Sequence, residues 1–122
     1  MTVKNIEKLV EIYKRILNRA KRDFERYLFR LDLLNLDFNW ALKSFRSYPL
    51  IVKKDAILKT IVIEGEGSPK EALDLLSLAT RKLKETKCRV ISARIRNVTN
   101  DCYASVLSDG RIIRDTCPVT RI

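Results

Sequence analysis

The chain has 122 residues, 46% of them apolar and 33% charged, the length and composition of one globular domain able to bury a core. Its net charge of +10 favours acidic partners, either nucleic acid or an anionic surface. It contains no His, which excludes Ser–His and Cys–His nucleophile pairs and His-ligated metals.

No apolar run reaches the ~18 residues of a membrane span. The stretch from Met1 to Asn18 alternates charged and apolar residues and lacks the apolar centre of a signal peptide. The expectation is a cytoplasmic protein with no membrane partner. Gln is absent and Lys, Arg, Ile and Leu are abundant, a bias that fits a thermophilic, archaeal-type protein, although six Asn remain.

In chain order, the first predicted element is a long helix. Apolar or small residues recur at Val3, Ile6, Val10, Tyr13, Leu17, Ala20, Phe24, Tyr27, Leu31 and Leu34, at spacings of three and four, with no Gly or Pro between them. This is a heptad seam, the pattern of a coiled coil or of tight packing on the chain's own domain. It predicts a homodimer through the N-terminal helix, although Tyr13, Ala20 and Tyr27 make a poor leucine zipper. The same stretch carries a basic run: Lys14, Arg15, Arg19, Lys21, Arg22, Arg26 and Arg30 against Asp23 and Glu25. Asn35 and Asp37 are good N-caps, so a short second helix starts near Phe38 and stops before Pro49. Its apolar face is Phe38, Leu42 and Phe45, with Trp40 a core anchor rather than a base-stacking ring.

From Leu50 the pattern becomes extended. "LIV" and "AILKTIVI" are rich in β-branched residues, and the second run, from about Ile57 to Glu64, reads as a strand covered on both faces. The segment "EGEGSPKE" tempts with two glycines ahead of a helix. It matches neither the P-loop nor the dinucleotide pattern, and Glu64 and Glu66 repel phosphate. Ser68, Pro69 and Glu71 instead form a capping box with its favoured proline. The helix they start reaches about Lys87 and buries Ala72, Leu75, Leu76, Ala79 and Leu83.

"RVISARIRN" is the next strand, with Ile91, Ala93 and Ile95 on one face and Ser92, Arg94 and Arg96 on the other. Asp109-Gly110 between two apolar runs signals a two-residue hairpin. Its register sets Ser105 opposite Arg114, with Tyr103 two residues along, and sets Cys102 opposite Cys117. Opposed Cα atoms lie ~4.5–5.5 Å apart, within disulfide reach, so a Cys102–Cys117 bridge or two reduced thiols are the alternatives, with Cys88 free. The fold class is therefore α+β: a helical region over 1–48, then a β-α-β-β-β domain over 49–122 with an antiparallel hairpin.

A second basic run extends over Arg81, Lys82, Lys84, Lys87, Arg89, Arg94 and Arg96 against Glu85. Residues predicted to contact nucleic acid are Arg15, Arg19, Arg22, Arg26, Arg81, Lys84, Lys87, Arg94, Arg96 and Arg114. Arginines and a tyrosine on an open sheet face suit stacking on unpaired bases, so RNA is expected before DNA. The cysteines are too far apart for Cys-x-x-Cys ligation and the acidic residues form no tight pair, so neither metal nor cofactor is expected.

Residues 57–113, through Ala72, Leu75, Leu76, Leu78, Ala79, Ile95, Arg96, Thr99 and Gly110, resemble the C-terminal half of the tRNA wybutosine-synthesis methyltransferase family. The family's Ser/Cys/Gly/Arg motif does not occur here, so S-adenosylmethionine binding and methyl transfer are not carried over. The resemblance implies an RNA-associated relative without that active site. The functional expectation is a small, basic, non-catalytic RNA-binding protein with a tRNA-like target. The alternatives are an assembly subunit whose coiled coil pairs it with an acidic protein partner and, third, an RNA-modification enzyme or its accessory subunit.

Overall fold

The computed structural model describes Glu11, which is helical, residues 26–98, and the backbone of residues 102–107 and 112–115. Among these residues the protein is α+β, with one antiparallel six-stranded sheet and two helices. The strands are β1 (Tyr27–Leu34), β2 (Leu50–Asp55), β3 (Thr60–Gly67), β4 (Arg89–Asn97), β5 (Cys102–Leu107) and β6 (Ile112–Asp115); the helices are α1 (Phe38–Phe45) and α2 (Pro69–Leu83). No helix among the described residues is long and apolar enough to cross a membrane.

The first correction concerns the N-terminal helix, which does not extend through residues 27–34. Tyr27, Phe29, Leu31 and Leu33 are all buried and alternate with Leu28, Arg30, Asp32 and Leu34, a period of two that makes a strand. The sheet order is β2-β3-β1-β4-β5-β6, so β1 is hydrogen-bonded to β3 on one side and β4 on the other. Tyr27, Leu31 and Leu34 thus belong to the sheet, not to a heptad seam. The rest of the seam, and the dimer expected from it, lie outside the described residues.

Both helices cover the same face. Ala41 and Phe45 of α1, and Ala72, Leu76, Ala79 and Leu83 of α2, share one apolar cluster with Tyr27, Phe29, Leu31, Leu33, Ile63, Val90, Ala93 and Ile95. The described part of the expected helical region, from Tyr27 to Phe45, therefore packs into the same core as the strands that follow it. Trp40 packs on that cluster, edge-on to Phe45 with ring centroids 6.0 Å apart. Asp37 caps α1 by accepting from the amides of Asn39 and Trp40. Ser68 and Glu71 form the expected capping box on α2 at 3.3 Å and 2.9 Å.

The two glycines before α2 serve packing. A Cβ on Gly65 would lie 2.6 Å from the Phe29 ring, and one on Gly67 would lie 2.6 Å from Cβ of Glu71. Each glycine leaves room that a neighbour already fills.

Two strand readings shift. Ile57 and Leu58 are not in a doubly covered strand; they sit in the exposed turn between β2 and β3. In β4 the register against β1 slips between Asp32 and Leu33, pairing Leu33 with Val90 and skipping Ile91. This bulge makes Val90, fully buried, the core residue where Ile91 was expected.

The β5–β6 register pairs Ser105 with Arg114, as expected from Asp109-Gly110. It then shifts between Ser105 and Val106, which pairs with Ile112. Cys102 pairs with Asn97 of β4; Cys117 and the turn itself lie outside the described residues, and with them the Cys102–Cys117 bridge.

Candidate nucleic-acid interface

With the core on one side of the sheet, alternation sends Leu28, Arg30, Asp32, Lys53, Val62, Glu64, Glu66, Ser92, Arg94 and Arg96 to the other. Register aligns them in rows. One runs Ile51, Glu64, Arg30, Arg94, Ser105 and Arg114 from β2 to β6; the next runs Glu66, Leu28, Arg96 and Tyr103.

Arg30 and Arg94 are directly paired like charges, an arrangement that repels unless one is neutralised. Arg30 is neutralised twice. Its Nη2 donates to Asp32 Oδ1 at 2.9 Å and to Asp55 Oδ2 at 2.8 Å, and these bonds hold the half-buried guanidinium more firmly charged than usual. Asp32 is buried, and also accepts from Thr60 Oγ1 at 3.3 Å and Ser92 Oγ at 3.2 Å. Four strands thus meet on Arg30 and one buried carboxylate.

This network was not anticipated from the sequence. Its one local signal is the Arg-x-Asp spacing that puts both side chains on the same face of a strand. Its other members come from elsewhere in the chain. It is a closed structural knot. Among the described residues no buried side-chain polar atom lacks a hydrogen-bond partner, and no cluster of His, Cys, Asp and Glu could hold a metal.

Charge across this face is graded. On the β2–β3 side the acids are matched: Lys53 Nζ lies 2.9 Å from Glu64 Oε1, and Arg26 Nε lies 3.1 Å from Glu66 Oε2. From β4 outward the residues in register in these two rows are Arg94, Arg96, Ser105, Tyr103 and Arg114, with no acid among them; the acids of both rows, Glu64 and Glu66, stand on β3. Arg94 and Arg96 are exposed. Exposed arginines therefore stand along β4 on this face.

The predicted contact residues divide between two surfaces. Arg26, Arg94 and Arg96, with Arg114 in register, belong to the face away from the helices. Arg81, Lys84 and Lys87 are exposed at the end of α2 and just beyond it, where cations also complement the helix C-terminus. The run from Arg81 to Arg96 is thus one cluster in sequence and two in space. Arg15, Arg19 and Arg22 lie outside the described residues. Asn97, in the glycosylation-like "NVT", is buried and donates to the Tyr27 hydroxyl at 3.2 Å, a core role.

Cys88 is buried and reduced, and burial pushes its thiol pKa up, away from the thiolate a nucleophile requires. Comparison with known proteins returns no matching family model, no matching curated protein and no matching solved structure. None of the three bears on the resemblance of residues 57–113 noted above.

Proposed function

We propose that the protein is a non-catalytic RNA-binding module whose contact surface is the sheet face away from the helices, on its β4–β6 side. The observation that carries this reading is the placement of exposed Arg94 and Arg96 on that face, with Tyr103, Ser105 and Arg114 in adjacent register and no acid among these five residues. Guanidinium groups spaced along a strand engage successive phosphates and stack on bases splayed from a single strand. The net charge of +10 adds long-range attraction.

The expected behaviour is steep salt dependence. Affinity for a tRNA-like RNA should fall ~10³-fold or more between ~50 and ~200 mM salt if about six phosphates are contacted. Replacing Arg94 and Arg96 with Ala should weaken binding more than replacing Lys53 and Lys54, which stand on β2 at the other side of the sheet. Fluorescence anisotropy across a salt series checks both. Flat salt dependence, or no binding at low salt, overturns the reading.

A further inference from the structure

The hairpin between β2 and β3 ends in an apolar tip. Ile57 is 91% exposed and Leu58 is 47% exposed, and exposed Lys53, Lys54 and Lys59 flank them. The tip is built, not slack. Asp55 Oδ1 accepts from the amides of Ile57 at 3.0 Å and Leu58 at 2.9 Å, and Lys59 closes the turn with φ of 57°. The other oxygen of Asp55 takes Arg30, whose register partner is Arg94. The tip is thereby fixed to the arginine-bearing face.

The geometry points to the Ile57–Leu58 tip as a wedge that inserts into a base step where paired RNA gives way to unpaired RNA, a role that rests on the RNA-binding reading above. Aliphatic side chains placed between bases part the stack, and the cost is least where the stack is already ending. Such a border also supplies the unpaired strand that the sheet face suits. Successive strand residues point to opposite faces: Lys53 reaches Glu64 on the arginine face, while Lys54 lies over the Phe38 ring on the helix face. Cations thus stand on both sides of the wedge, as the phosphates of two strands require. An anionic bilayer also attracts a basic, apolar tip. Bilayer-binding segments, however, present a broad apolar face with aromatic anchors, and this tip has two aliphatic side chains and no aromatic.

The test uses the full chain and an RNA hairpin carrying 2-aminopurine in its last base pair, beside a fully paired duplex with the same label. The wild type should raise fluorescence at the hairpin junction and leave the duplex dark. The variant Ile57→Ser/Leu58→Ser, altered at two exposed positions, should keep its circular dichroism and salt slope. It should lose the fluorescence rise and on the order of tenfold in affinity for the hairpin. A variant equal to wild type in both readouts overturns the wedge and leaves RNA binding standing. No binding by the wild type at low salt overturns both. If the variant instead loses co-sedimentation with phosphatidylserine vesicles while its RNA response is unchanged, the tip is a membrane contact and the wedge is refuted.

Discussion

At the scale of the residue, Asp32 carries the most. Its buried carboxylate takes a guanidinium and two hydroxyls from three strands, so removing it strands charge and hydroxyls together. Asp32→Ala should cost about 3–5 kcal/mol in urea denaturation, and a loss below about 1 kcal/mol would show the network to be incidental. Asp55 predicts a pH effect. The amide of Leu58, then Arg30, hold its carboxyl below the usual range. A depressed folded pKa means its stabilisation is present above the unfolded value, near ~3.9, and is lost as pH falls through the lower folded one. As pH falls below ~4, the wild type should therefore lose more stability than Asp55→Asn, whose curve lacks this component; identical slopes in the two proteins would refute it. Gly65→Ala drives a Cβ to 2.6 Å from the Phe29 ring and 2.9 Å from Leu50 Cδ2. It should destabilise by about 1–3 kcal/mol, read as a lower denaturation midpoint.

At the scale of the element, local chemistry was legible and distant pairing was not. The α2 capping box lies within four consecutive residues, from Ser68 to Glu71, so the sequence displays the whole motif. Ser68→Ala should cost ~1 kcal/mol by thermal melting. The α1 cap at Asp37 was legible for the same reason. β1 was misread because Tyr27 and Leu31, on its core face, and Leu34, on the other, also fit the four-and-three spacing of a helix. What decides the matter is two partners far along the chain, β3 and β4. Hydrogen exchange separates the alternatives, since amides 27–34, bonded on both sides, should be among the slowest to exchange. The arginine face was half legible. Alternation placed Arg94 and Arg96 together, but nothing local told that Arg30 beside them would be neutralised, or that Arg81 and Lys84 would fall on the other side of the sheet.

At the scale of the whole molecule, β1 joins two halves that have no strand contact with each other. β2–β3 pairs with its outer edge, while β4, and through it β5 and β6, pairs with the other. A fragment beginning at residue 49 would leave the facing edges of β3 and β4 without their common neighbour, and should show no cooperative unfolding transition. Adding a peptide of residues 26–36 should restore one; failure of that rescue, or a cooperative transition without it, would refute the arrangement. The same placement governs the order of assembly. The central strand leaves the ribosome before either neighbour exists, so its leucines and both rows of backbone donors and acceptors must wait for the hairpin at β2–β3 and then for the whole of α2. Such long-range closure slows folding, and meanwhile the waiting segment is a hydrophobic strand with two open edges, the form most prone to join a second chain. During synthesis, the keystone is thus the aggregation hazard, and conditions that delay the C-terminal half should be the ones that precipitate the protein.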